Sequence, residues 1–252
     1  AYTQNLRAYK ATKHAVVYAR LDNAPEVSTS EKDFLRALPD SIDIVTMRNA
    51  DRLSEYDRED MKLVREDYGT KVLYYIDCTA KDKLNTSITS AVEAVRTGTF
   101  DGLALGSEGS AVDVSALKSL LDALGQTPCL LVFEGTPSLL PEAQRSLFNY
   151  FVLDISAASD EYDIETSVLY ATGYGKAAPD RLLLAVTPDG TLTDYNGVTR
   201  NAIAGAAYGA LNMETPLGGI AIYNISADYY DTDIIYKQTR GGIQFLNPAS
   251  VH

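Results

Sequence analysis

The stretch Val72-Leu73-Tyr74-Tyr75-Ile76-Asp77 is a short apolar and aromatic run of strand character, and an amphipathic stretch at 86–95 follows it. Thr86 and Ser87 open that stretch and Gly98 stops it; a second apolar run, Gly102-Leu103-Ala104-Leu105, comes next. Strand, helix and strand in this order make a βαβ unit, which calls for a parallel sheet.

Working outward, strand-like runs recur at 15–21, 42–47, 130–133, 150–155, 182–187 and 219–223, which makes eight. Helical patterns lie between them. Ser54 precedes one that ends at Gly69, and Asp113 leads into another at 114–124, where Leu117, Leu120, Leu121 and Leu124 form an apolar face and Gly125 supplies the stop. Pro141 suits the first turn of the next, and 164–174, 197–211 and 233–238 supply the last three. Eight strands each followed by a helix, without a Pro/Gly/Ser-rich linker, predict an α/β fold: a single (β/α)8 TIM barrel forming one domain over 1–252. An open dinucleotide-binding sheet fits less well, because Ala19-Arg20-Leu21-Asp22-Asn23 stands where its glycine-rich turn belongs.

Composition narrows the function. The 252 residues carry 46% hydrophobic and 22% charged residues and a net charge of -12. That charge repels phosphate backbones, so no nucleic-acid partner is expected. The longest apolar runs are too short to span a bilayer, and the chain as given reads as soluble. Cys78 ends one strand and Cys129 begins another, so two free thiols are expected. His14, just before the first strand, reads as a packing or capping histidine. With the other histidine at the terminus, neither a metal cluster nor Ser/His/Asp chemistry is expected, and nothing calls for a cofactor.

In such barrels the chemistry sits at the carboxyl ends of the strands. Those positions hold Arg20, Asp22, Thr46, Arg48, Tyr75, Asp77, Glu108, Glu134, Asp154, Ser156, Tyr223 and Asn224. Carboxylates, amides and tyrosines hydrogen-bond sugar hydroxyls and stack on sugar rings, which makes carbohydrate the substrate class. Asp228, Tyr229, Tyr230, Asp231 and Asp233 read as a loop over the cleft.

The segment Phe100-Asp101-Gly102-Leu103-Ala104-Leu105-Gly106-Ser107-Glu108 resembles the D-G-x-D-x-D-x-E signature of glycoside hydrolase family 18. Asp101 and Gly102 match its first positions and Glu108 matches the proton-donating glutamate, while Ala104 and Gly106 replace the two intervening aspartates. Strand alternation predicts that 104, 106 and 108 all face the barrel interior. In the family the substrate's own N-acetyl group attacks the anomeric carbon, oriented by the aspartate that Gly106 replaces, so family-type hydrolysis is expected to be impaired. Asn149-Tyr150-Phe151-Val152-Leu153-Asp154-Ile155-Ser156 resembles a family segment that ends in an acetamide-binding tyrosine, here Ser156. The family's strand-eight tryptophan has no counterpart, which leaves Tyr223 or Asn224 in that place.

The opening Tyr2-Thr3-Gln4-Asn5-Leu6-Arg7-Ala8-Tyr9-Lys10, Leu38-Pro39-Asp40-Ser41-Ile42-Asp43-Ile44-Val45 and the closing Ile243-Gln244-Phe245-Leu246-Asn247-Pro248-Ala249 resemble a Bacteroidetes branch of this family. That resemblance implies endo-β-N-acetylglucosaminidase relatives, exported as periplasmic or cell-surface lipoproteins beside outer-membrane glycan-import partners. The expected function is a catalytically impaired barrel binding N-acetylglucosamine-containing glycans, N-glycans among them. The sugar is expected to meet Asp101, Arg48, Tyr75, Asp77, Glu134, Asp154, Ser156, Tyr223 and Asn224. The alternative is an active endo-β-N-acetylglucosaminidase or chitinase-like enzyme with Glu108 as general acid and Glu134 or Asp154 replacing the lost aspartate.

Overall fold

The structure, a computed structural model, describes residues 1–23, 31–79, 81–230 and 233–248. Asp231 and Ala249 of the stretches quoted above lie outside the described residues. The described residues form ten strands: β1 (Val16–Leu21), β2 (Ile44–Met47), β3 (Lys71–Asp77), β4 (Gly102–Gly106), β5 (Leu130–Glu134), β6 (Tyr150–Asp154), β7 (Leu182–Val186), β8 (Thr191–Thr193), β9 (Thr199–Asn201) and β10 (Gly219–Ile222). The helices are α1 (Tyr2–Lys10), α2 (Glu55–Asp67), α3 (Lys81–Arg96), α4 (Val114–Leu124), α5 (Glu142–Arg145), α6 (Glu161–Gly173), α7 (Ala202–Asn212) and α8 (Lys237–Leu246).

Strands β1 to β7 and β10 form a closed parallel barrel in the order β1-β10-β7-β6-β5-β4-β3-β2, the (β/α)8 TIM barrel expected from the sequence. Closure comes from β1 against β10, with Val17 opposite Ile220. Alternation along the strands divides the core into two layers. Val16, Tyr18, Ile44, Leu73, Ala104, Val132, Val152, Leu183, Ala185, Ala221 and Tyr223 fill the barrel interior. Their neighbours, such as Val17, Val45, Tyr74, Leu103, Phe133 and Phe151, pack outward in the layer shared with the helices.

The helix ends follow local chemistry. Ser54 and Asp57 form a capping box that starts α2, and the Asp113 side chain accepts from Ala116 N at the start of α4. Gly125 ends α4 with φ 57°, a conformation that glycine reaches without a Cβ clash. Helix α3 begins at Lys81, not near Thr86. The Thr86 and Ser87 hydroxyls lie mid-helix and donate back to carbonyls of Asp82 and Lys83. The stretch expected as a helix from 197 opens instead with the β8–β9 hairpin, and α7 starts at Ala202 behind Asn201, whose side chain accepts from Ala204 N. The described part of the β1–β2 connection holds two 3-10 turns, Glu31–Asp33 and Leu35–Ala37, with no α-helix. The four-residue α5 leaves the outer wall beside β5 thinly covered.

The amino end of the barrel is tied by polar contacts. His14 Nε2 lies 2.5 Å from Asp43 Oδ1, and Asp43 Oδ2 accepts from Val17 N at 2.8 Å, so His14 is the packing histidine expected. Asn247 bonds both backbone groups of Ala15, which anchors the end of α8 beneath β1. Cys78 and Cys129 are free thiols, and burial pushes Cys78 up to about 12. Among the described residues no helix is long and apolar enough to cross a membrane.

Candidate functional site: the mouth of the barrel

The carboxyl ends of the strands open into a cavity of about 890 Å³, in the range of small-molecule sites. Arg20, Arg48, Tyr75, Glu134 and Tyr223 line its floor, and Glu108 and Asp154 stand at its rim. Six of the residues expected from sequence therefore converge: Glu108, Arg48, Tyr75, Glu134, Asp154 and Tyr223.

Glu134 organises the floor. It is the last residue of β5, and its side chain is only 3% exposed. Tyr18 donates to its Oε2 at 2.6 Å, and Arg20 Nη1 to its Oε1 at 3.3 Å. With the Tyr18 proton committed to Glu134, the Thr46 hydroxyl supplies the proton of the Thr46–Tyr18 hydrogen bond. Burial raises the Glu134 pKa, against the opposing pull of Arg20, Tyr18 and Arg48. Burial likewise raises the Tyr18 and Tyr223 phenols well above their ordinary range, so both stay protonated donors.

Two guanidiniums stand over aromatic rings there. The Arg20 guanidinium carbon is 3.8 Å from the Tyr223 ring centroid, and that of Arg48 is 4.5 Å from the Tyr75 centroid. Tyr75 also fills space beside β4. A Cβ on Gly106 would run into its hydroxyl and come within 3.0 Å of its Cε2 and Cζ. Ala104, one pleat deeper, is fully buried among apolar interior residues.

Glu108 differs from the alternation argument. Strand β4 ends at Gly106, and Ser107 to Ser110 form a turn closed by Ser110 N on the Ser107 carbonyl. Glu108 adopts φ 49° within that turn, so the face it presents is set by the turn and not by strand pleating; it is exposed at the rim.

Four expected sugar contacts fall elsewhere. Asp101 precedes β4 at the amino end of the barrel, opposite the mouth. It is a strut there: Arg65 donates to both its oxygens at 2.9 and 3.0 Å, and Val72 N adds a bond at 2.8 Å. Asp77 accepts from Thr79 N and pairs with Lys83, holding the turn after β3, and does not line the cavity. Ser156 donates its backbone N–H to Asp154 and borders a separate space of about 40 Å³ with Thr187 and Asp189. Asn224 is exposed, in the left-handed conformation that starts a 3-10 turn. The acidic, aromatic stretch is also structural. Asp228 caps α8 through Thr239 N at 2.8 Å, and Tyr229 donates to Glu31.

The cavity has a side that the sequence reading missed. It leaves the mouth over Gly135 and Thr136 and runs to Thr166, Ser167 and Tyr170 on α6, in the gap that the short α5 leaves uncovered. The signal was the lack of an amphipathic run between Pro141 and the next strand. A second cavity of about 650 Å³ lies away from the mouth, among Tyr2, Phe34, Tyr56 and Tyr68. No grouping of histidine, cysteine and carboxylate side chains suited to a metal occurs among the described residues.

The chain is a (β/α)8 barrel with a polar, aromatic mouth. Residues 1–101 match the family described as glycoside hydrolase family 18, BT1044-like. The match ends at Asp101, ahead of Ala104, Gly106 and Glu108. A glutamate-to-glutamine variant of BT1044 superposes with a TM-score of 0.79 at 18% identity, over 98% of this chain and 92% of that one. An endo-β-N-acetylglucosaminidase from Cordyceps militaris, in complex with fucosyl-N-acetylglucosamine-Asn, gives 0.68 at 16% identity, over 98% and 95%. A chitinase from Bacteroides thetaiotaomicron gives 0.62 at 14% identity, over 95% and 98%. At these identities the likeness is one of fold. No curated protein matches the chain.

Proposed function

We propose that this barrel binds N-acetylglucosamine-containing glycans, N-glycans among them, without hydrolysing them by the family's mechanism. The observation that carries this reading is Tyr75 against Gly106. The position two residues before Glu108, where the resemblance calls for the aspartate that orients the substrate's acetamide, has no side chain, and a tyrosine ring fills the adjacent space. Losing one group that acts in the transition state costs roughly a hundredfold to a thousandfold in rate. Here Gly106 and Ser156 both lack theirs, while Tyr75, Tyr223, Glu134 and Asp154 still present hydrogen-bonding and stacking groups to the cavity.

A second reading keeps an enzyme. Glu134 is a buried carboxyl with a raised pKa at the cavity floor, the environment that suits a general acid. Its ties to Tyr18 and Arg20 support the binding role instead, because they hold its oxygens in place.

Calorimetric titration with chitobiose and a high-mannose glycopeptide, beside a turnover assay on the same ligands, tests both readings. Saturable binding without turnover is expected. Turnover abolished by Glu108→Gln or Glu134→Gln would overturn the binding reading and identify the acid. The proposal extends to an exported protein, periplasmic or held at the cell surface as a lipoprotein, working with outer-membrane glycan-import partners. Cell fractionation with the mature protein found in the cytoplasm would refute that extension.

A further inference from the structure

The charge on the cavity floor runs against that of the whole chain. The protein carries a net charge of -12, yet the floor holds two guanidiniums, Arg20 and Arg48, against one carboxylate, Glu134. Arg20 gives one N–H to Glu134 and stands over Tyr223. The Arg48 side chain makes no hydrogen bond or ion pair with any described residue and is half-buried, its guanidinium carbon over the Tyr75 ring. A guanidinium over a ring whose N–H donors have no protein partner offers a planar fork that matches the two oxygens of a carboxylate or sulfate.

The absence of a side chain at Gly106 links these features. It puts no acid at position 106, and it admits the ring over which Arg48 stands. Glu108 and Asp154 oppose an anion, but both are exposed at the rim on the β4 and β6 side, where water and salt screen them. Arg20 and Arg48 occupy the β1 and β2 side.

We propose that Arg48, backed by Arg20, is a subsite for an anionic substituent on the bound glycan, a carboxylate or sulfate group, so that the barrel selects acidic over neutral oligosaccharides. This rests on the glycan-binding reading above and names the ligand class for the same cavity. The selected group sits at the Arg48 edge, with the sugar that carries it over the floor between Tyr75 and Tyr223.

Calorimetry with matched pairs tests the subsite: a sialylated and a desialylated N-glycan, and a sulfated and an unsulfated N-acetylglucosamine disaccharide. The wild-type protein is expected to bind at least one acidic member about tenfold more tightly than its neutral partner, the scale of one charged hydrogen-bonded contact. The ratio should fall as salt rises. In Arg48→Gln the ratio should approach one, and in Arg48→Lys, which keeps the charge but not the fork, it should lie between; thermal melts establish that both variants are folded. Preference within the sialylated pair alone assigns a carboxylate, and within the sulfated pair alone a sulfate. Binding of neutral and acidic members with equal affinity overturns the subsite and leaves the glycan-binding reading standing. So does a preference that survives Arg48→Gln. Failure of every glycan to bind overturns both.

Discussion

The Tyr75 ring stands where a side chain on Gly106 would have to go, with its Cε2 and Cζ 3.0 Å from the position of a Cβ there. Placing an aspartate at 106 therefore sets two effects against each other. Overpacking a filled site costs about 1 to 3 kcal/mol, while a new, partly exposed ion pair with Arg48 returns about 0 to 1 kcal/mol. Gly106→Asp should lower stability in urea unfolding and give no measurable turnover of chitobiose. Its effect should shrink when Tyr75→Ala is added, because the clash and the mutation share one partner. Turnover in the single variant would mean that Tyr75 moves aside freely.

Arg20 and Glu134 pair at the cavity floor, with side-chain exposures of 22% and 3%. Removing Arg20 leaves the carboxylate with Tyr18 alone, and stranding a buried charge costs about 3 to 5 kcal/mol. Arg20→Ala should approach the lower figure because Arg20 is partly open to water. Glu134→Gln, which keeps an acceptor for Tyr18, should cost less, and the double variant should recover part of the loss. Chemical denaturation of the three variants checks the order, and a neutral Arg20→Ala would show that Glu134 is already protonated at the assay pH.

The barrel was legible because alternation and apolar run length are local properties, and each of the eight barrel strands lies within two residues of its expected bounds at either end. The site was legible only in part. Glu134, Asp154 and Tyr223 continue the inward face of their strands, so counting by twos finds them. Glu108 defeats that count because the strand ends two residues earlier and a left-handed turn takes over. Asp101 carries the motif's first position, yet its location at the amino end makes it a partner for Arg65, which a linear pattern does not reveal. Tyr170 reaches the cavity from α6, beside the four-residue α5, a consequence of packing between distant segments.

The His14–Asp43 contact gives a pH dependence with a definite sign. The hydrogen bond to Asp43 raises the His14 pKa, outweighing the lowering by burial. A group whose folded pKa is raised stabilises the fold fully below its unfolded value, about 6.5, and loses that contribution as pH rises through the folded value. Thermal melts should therefore show a stability component that declines from about pH 6.5 upward and is missing in His14→Gln. A rise across that window that depends on His14 would contradict the assigned pairing.

Tyr170 should distinguish long ligands from short ones, under the glycan-binding reading. It is 47% exposed, receives a hydrogen bond from Ser138 Oγ at 3.3 Å, and lies 5.3 Å from the exposed Tyr174 ring. Together with Thr166 and Ser167 it lines the arm of the cavity that leaves the mouth over Thr136. A disaccharide held over Tyr75 and Tyr223 spans little of that arm, whereas a longer glycan can continue along it and cover part of the Tyr170 ring. Covering about 40 Å² of apolar surface is worth about 1 kcal/mol, roughly fivefold in affinity. The gain in affinity from disaccharide to the longest glycan bound should therefore shrink by about that factor in Tyr170→Ala. The same gain in both proteins would mean that the chain leaves the mouth in another direction.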